Sequence, residues 1–159
     1  MEIRPFRPED LPVIGQITRQ SWFGVAMWHL LEQRYGPLGA SWTDRKAAEV
    51  MDFCRQHPNQ IVVAEEDGQT VGYATFYWSP ADKIGEVGNN AVLPQFRGRG
   101  VGTALIVETI RIMKDWGAEI LRVTTFEHDY PARHIYERLG FREIARSVHF
   151  TMLCSEANR

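Results

Sequence analysis

The segment Val92-Leu93-Pro94-Gln95-Phe96-Arg97-Gly98-Arg99-Gly100-Val101-Gly102-Thr103-Ala104-Leu105 restricts the fold more than any other stretch of the chain. A strand-like run stops at a proline, three glycines follow at alternate positions, and an apolar pattern of helical period takes over. Strand, tight loop and helix must follow one another, with the loop at the N-terminal end of the helix. Glycine opens backbone conformations closed to other residues and keeps Cβ atoms away from a ligand, so amide N–H groups at the helix start can meet an anion. The helix dipole adds to that attraction, and Thr103 supplies a hydroxyl. A Walker loop ends in Gly-Lys-Ser/Thr, which is missing, and a dinucleotide fingerprint needs GxGxxG where Gly98, Gly100 and Gly102 give GxGxG. The remaining alternative is a plain flexible turn.

Around this junction the pattern predicts an α/β domain. Ile3 to Arg7 reads as a strand stopped by Pro8, and Leu11 to Gln20 as a helix. Ser21 to Trp42 is an aromatic-rich helix and loop holding Trp22, Phe23, Trp28, Tyr35 and Trp42. Thr43 is placed to cap a helix that runs to about Gln56. Gln60 to Glu65 and Thr70 to Trp78 form a hairpin about the turn Glu66-Asp67-Gly68-Gln69, and Ile84 to Leu93 is a further strand. Thr103 to Trp116 is a helix closed by Gly117, Glu119 to Thr125 a strand, Pro131 to Leu139 a short helix, and Phe141 to Leu153 a last strand region. These elements imply a mixed, mostly antiparallel central sheet flanked by helices.

Composition limits the function classes. A chain of 159 residues, 44% hydrophobic and 24% charged, is read as one globular domain over residues 1–159. Its formal charge of −2 and pI near 6.2 lack the basic excess of a nucleic-acid binder, so no nucleic-acid partner is expected. The amino terminus lacks the apolar stretch of a signal peptide, and no run approaches the roughly 18 apolar residues of a membrane span. No membrane partner is expected. Cys54 and Cys154 stand alone and far apart, which suits a reducing cytoplasm and predicts neither a disulfide framework nor a metal site. His29, His57, His128, His134 and His149 share no ligand spacing.

Arg97-x-x-Gly100-x-Gly102 resembles the pyrophosphate-binding motif of the GCN5-related N-acetyltransferase (GNAT) family, Gln/Arg-x-x-Gly-x-Gly/Ala. The likeness extends upstream to Asn90-Ala91-Val92-Leu93-Pro94 and downstream to Tyr130-Pro131-Ala132-Arg133-His134-Ile135-Tyr136-Glu137-Arg138-Leu139-Gly140-Phe141. What the resemblance implies is a GNAT-like fold that binds acetyl-CoA as cosubstrate, without a metal, and moves the acetyl group directly to a primary amine. That amine would belong to a small molecule or a polypeptide. The acceptor side would occupy about residues 1–60 and the acetyl-CoA-binding core about 84–141. Cofactor contacts would come from Asn90, Ala91, Val92, Arg97, Gly98, Arg99, Gly100, Val101, Gly102, Thr103, Asp129 and Ala132. The family usually has Asn three residues before the Ala, and Asp129 stands there; a carboxylate accepts hydrogen bonds but cannot donate them.

The transfer needs an uncharged nucleophile, a stabilised oxyanion and a protonated leaving thiol. Taking a lysine-like amine of pKa about 10.4 to neutral at pH 7 costs about 4–5 kcal/mol, so a base is useful. Glu86, on the strand leading to the loop, is the first candidate; Glu127 and water are alternatives. Glu86, Gly88, Asn90 and Val92 share one face if no bulge intervenes. Tyr136 matches the position from which the family often protonates the sulfur. The resemblance also places free backbone N–H groups around Asn90 to Val92 along the acyl group. A nucleophilic cysteine would need a histidine partner, and His57 near Cys54 is the only neighbour. A non-catalytic acyl-CoA-binding sensor or partner-binding module remains as the alternative function. A homodimer is expected as the commonest symmetric assembly.

Overall fold

The computed structural model describes residues 1–156. Strand β1 (Glu2–Pro5) leads into helices α1 (Leu11–Ser21), α2 (Met27–Tyr35) and α3 (Trp42–Gln56). Strands β2 (Ile61–Glu66), β3 (Gln69–Ser79) and β4 (Ile84–Val92) follow, then α4 (Val101–Asp115), β5 (Ile120–Val123) and α5 (Tyr130–Arg138). The sheet runs in the order β1-β2-β3-β4-β5, antiparallel throughout except for the parallel β4–β5 pair that the α4 crossover joins.

Alternating side chains give the sheet two buried faces. Val62, Ala64, Ala74, Phe76 and Val87 pack against Leu105, Ile106 and Met113 of α4. On the other face Ile61, Val63, Tyr73 and Ala91 pack against Ile14 and Ile17 of α1 and Val50, Phe53 and Cys54 of α3. The hairpin turn places Asp67 and Gly68 at φ 51° and 76°, the left-handed pair that suits the twist of the flanking strands.

Four departures from the sequence reading have local causes. Helix α3 begins at Trp42 because Ser41, not Thr43, caps it: its hydroxyl accepts the Asp44 amide at 3.2 Å. Helix α4 begins at Val101, two residues early, since Gly100 already serves as its cap at φ 82°. Residues 141–153 form no strand; the segment lies beside the fold through side chains, with Arg146 on Glu127, His149 edge-on to Phe126, and the Tyr35 and Thr151 hydroxyls 2.7 Å apart. Its alternating apolar residues supply a strand pattern, but no neighbouring strand takes up its backbone groups.

The fourth departure shapes the site. Ala74 pairs with Asn90 and Phe76 with Val87, so Gly88 and Asn89 together oppose the single residue Thr75. This is a β-bulge. It reverses the alternation of β4: Val87 packs in the α4 layer, whereas Ala91, four residues on, packs in the α1–α3 layer. Glu86 therefore does not share a face with Asn90 and Val92. A Cβ on Gly88 would lie 2.5 Å from the Thr75 hydroxyl, so the bulge requires glycine there.

Candidate active site

The ladder between β4 and β5 holds only from Ile84–Ile120 to Val87–Val123. From Gly88 onward β4 continues towards the glycine loop without a partner on that side, and the two strands diverge. The gap faces α5. Asn90 reaches it and donates its side-chain amide to the Tyr136 hydroxyl at 3.1 Å and to the Gly88 carbonyl at 3.2 Å. Tyr136 is 7% exposed, and burial pushes its pKa above the ordinary phenol value despite the Asn90 bond. The phenol is thus protonated at neutral pH, and because its oxygen accepts from Asn90, its own hydrogen is free to be donated.

At the far end of β4 the chain turns through Pro94–Phe96 into the glycine loop. Gly98 and Gly100 have φ of 74° and 82°, and a Cβ on either would meet nothing within 4 Å, so the loop leaves an open space before α4. The first amide bonded into the helix is that of Ala104, to the Gly100 carbonyl at 2.9 Å. Among the described residues the amides from Gly98 to Thr103 have no protein acceptor within hydrogen-bond reach, which leaves a ring of donors at a positive helix end. Such a cradle fits a pyrophosphate. At Gly102 α4 faces α5 with room for a side-chain carbon, since a Cβ there would lie 3.5 Å from Ile135, an ordinary contact.

The two arginines of the loop behave differently. Arg97 turns back, donating to the Val92 carbonyl at 3.1 Å and the Ser21 carbonyl at 3.4 Å, and so ties the end of β4 to the end of α1. Arg99 lies over the Phe96 ring at 5.2 Å with Glu66 3.7 Å away, more than half exposed and able to swing towards a phosphate. Asp129 caps α5, accepting from the Ala132 amide at 3.3 Å and the Thr125 hydroxyl at 3.1 Å, so both carboxylate oxygens are engaged within the protein. Glu127 lies in an exposed pair with Arg146.

The candidate base, Glu86, faces the α3 layer. Arg122 of β5 binds it through Nε at 2.7 Å and Nη2 at 2.6 Å. A cleft of about 570 Å³ opens here between Tyr77, Ser79, Asp82, Glu86 and Arg122. Burial raises the Tyr77 pKa, and the charges of Glu49 and Glu86 raise it further.

Glu49 was not legible as a site residue. It takes the Lys46 ammonium on Oε1 at 2.6 Å and the Trp28 indole N–H on Oε2 at 3.2 Å. Lys46 itself is buried, with Nζ 2.7 Å from Asn89 Oδ1 on the bulge and 4.3 Å from the Trp22 ring centre. A lysine on the stripe Lys46-Val50-Phe53, otherwise apolar, was the available signal. Burial pushes the Cys54 thiol up to about 12, which leaves it un-ionised and unsuited to nucleophilic attack. Among the described residues no group of three His, Cys, Asp or Glu could hold a metal ion.

The model of the acetyltransferase (GNAT) family matches residues 25–141, from α2 and α3 across the bulged strand and the glycine loop to α5. The chain belongs to the GNAT family. An N-alpha-acetyltransferase of Sulfurisphaera tokodaii is 31% identical over 63% of this chain and 66% of its own length. The match thus spans just under two thirds of that relative. The L-2,4-diaminobutyric acid acetyltransferase of Nocardia farcinica is 36% identical over 79% of this chain and 67% of its own. Among solved structures, a GNAT family acetyltransferase from Brucella melitensis in complex with acetyl-CoA superposes with a TM-score of 0.64 at 27% identity, covering 89% of this chain and 82% of that one. The sheet is mixed, and its parallel β4–β5 pair ends at Val87–Val123 beside α5.

Proposed function

We propose that this GNAT chain transfers an acetyl group from acetyl-CoA directly to a primary amine. The observation that carries the proposal is the Asn90–Tyr136 hydrogen bond at the mouth of the β4–β5 gap, because it sets a protonated phenol between the pyrophosphate cradle and the acceptor-facing bulge. Amides from Gly98 to Thr103 would hold the pyrophosphate, with Arg99 adding charge, while Arg97 secures the strand end. The pantetheine arm would run along Asn90, Ala91 and Val92 beside Ala132, with Asp129 maintaining the start of α5.

The incoming ammonium loses its proton to Glu86, directly or through water, and the neutral nitrogen attacks the thioester carbonyl. Backbone N–H groups of the unpaired β4 segment stabilise the oxyanion, the bonded nitrogen gives its second excess proton to solvent, the carbon–sulfur bond breaks, and Tyr136 supplies a proton to the departing thiolate and regains one from solvent. No covalent enzyme intermediate is needed. The cytoplasm is the proposed location, a setting that suits two free cysteines, one of them exposed. The relatives' names span an N-alpha-acetyltransferase and a diamino acid acetyltransferase, so the acceptor is proposed only as a primary amine.

The test is release of free thiol from acetyl-CoA across a panel of small amines and peptides. Thiol release that requires an amine supports transfer. Tight acetyl-CoA binding with no release under any amine would favour a non-catalytic acyl-CoA sensor.

A further inference from the structure

Two neighbouring side chains on β4 lead to opposite layers. Asn90 holds the Tyr136 hydroxyl on the α5 side, and Asn89 holds the Lys46 ammonium on the α3 side. The β4–β5 ladder ends at Val87–Val123, so the gap proposed to receive the thioester opens beside this pair of asparagines. Direct transfer requires the amine to reach one face of the thioester carbonyl while the sulfur lies within reach of its acid. With Tyr136 at the sulfur on the α5 side, the α3 layer is the face of β4 left for the amine, and Lys46 Nζ already lies there.

The surroundings of Lys46 are those an incoming ammonium would seek: the Trp22 ring at 4.3 Å, a carboxylate oxygen at 2.6 Å and an amide oxygen at 2.7 Å. Of the three lysines, Lys83 pairs with Glu119 at the outer edge of the sheet and Lys114 lies in the last turn of α4. Only Lys46 touches the bulge.

We propose that Lys46 is an acceptor of the protein's own acetyl group, an internal modification site set beside the thioester seat. The inference rests on the proposed acetyl transfer. One proton of the ammonium passes to Glu49 Oε1, and the freed nitrogen lone pair forms a bond to the acetyl carbon. The carbon–sulfur bond breaks, and coenzyme A leaves as the thiol after taking a proton from Tyr136, which solvent replaces. The nitrogen's remaining excess proton is also released to solvent. The product is a neutral acetyl-lysine that has lost its ion pair with Glu49 but keeps one N–H for Asn89. Glu49 passes the proton it took to solvent and then stands as an unpaired carboxylate on the acceptor side, free to receive a cationic substrate.

The test incubates the full chain with isotopically labelled acetyl-CoA and no amine, followed by intact mass measurement and peptide mapping. One acetyl group on Lys46 is expected, either labelled or already present in the purified protein. Its appearance should follow a first-order rate unchanged by dilution of the protein. K46R should lose the mark, K83R and K114R should keep it, and E49Q should slow it about tenfold or more. Thiol release with amines while Lys46 stays unmodified overturns the proposal and leaves the transferase reading intact. Absence of both thiol release and modification, with acetyl-CoA still bound, overturns both readings. A mark spread equally over the three lysines, or a rate rising with protein concentration, also overturns it, since either denies a placed, internal acceptor.

Discussion

Arg122 reaches across the parallel β4–β5 pair and grips Glu86 through two nitrogens, at 2.7 and 2.6 Å. A carboxylate held in this way keeps its orientation, but to act as a base it must turn from the guanidinium towards an arriving ammonium. E86Q keeps the shape and removes the basicity. We expect kcat/KM to fall about 10²-fold for strongly basic amines and only slightly for anilines, with the acidic limb of the pH–rate profile lost. Equal losses for both amine classes, with that limb retained, would assign Glu86 to positioning and move the base role to Glu49 or water.

Tyr136→Phe removes one hydroxyl from a buried site and keeps the ring that meets Phe141 edge-on. The expected loss in kcat is about 10- to 100-fold, because a thiol of pKa about 8.5 already leaves readily. Affinity for coenzyme A should barely change. Because burial raises the phenol pKa, wild-type activity should show no loss attributable to Tyr136 ionisation below about pH 10. An intact kcat in the variant, measured by steady-state thiol release, would limit Tyr136 to packing.

Gly102 separates cradle chemistry from backbone strain. A Cβ there makes ordinary contacts, 3.5 Å to Ile135 and 3.8 Å to Val92, so Gly102→Ala should fold and bind coenzyme A with little change. Gly102→Glu brings negative charge to the helix start, and calorimetry should show affinity at least about tenfold weaker, equivalent to about 1.4 kcal/mol. Gly100→Glu should weaken binding as well, but with added strain, because its φ of 82° disfavours any side chain.

Remote from the site, Asp10 accepts both Arg4 terminal nitrogens at 2.8 Å, the Arg7 amide at 2.8 Å and the Thr70 hydroxyl at 3.2 Å. Burial alone would raise its pKa, yet these bonds together hold it below the ordinary carboxylate value. The stabilisation is therefore full above the unfolded-state pKa of about 3.9 and is lost as pH falls through the lower folded value. D10N should cost about 3 kcal/mol in urea unfolding at pH 7, since it leaves the buried Arg4 with Glu65, 2.7 Å from its Nε, as its remaining carboxylate. Below about pH 4 the gap between variant and wild type should narrow; a constant gap would mean the loss is not electrostatic.

Local chemistry was legible in the sequence, and cross-chain geometry was not. The Asp67-Gly68 turn, the proline before the glycine loop and Gly117 after α4 each act within a few residues, so their signals lie in adjacent letters. The bulge could not be read that way. It depends on Thr75 of another strand facing both Gly88 and Asn89, and it moved Glu86 away from the face of Asn90. Lys46 and Glu49 gained their place from the packing of α3 against β4, which no spacing within α3 announces. The segment 141–153 shows the reverse case: its alternation is plain, but a ladder also needs a neighbour.

The inserted residue in β4 also determines how the site answers a change in length. Up to Val87 the even-numbered side chains of this strand look towards α3, and from Asn90 they look towards α4. Removing Gly88 would set Asn89 opposite Thr75 and leave the Val87–Phe76 and Asn90–Ala74 pairs as they are, so every side chain beyond would keep its layer. A point substitution dulls one contact; a single-codon deletion here would straighten the strand and still present Asn89 to one layer and Asn90 to the other. Relatives one residue shorter at this spot must therefore be aligned with the gap at Gly88, because ungapped transfer across it moves each role to the opposite layer.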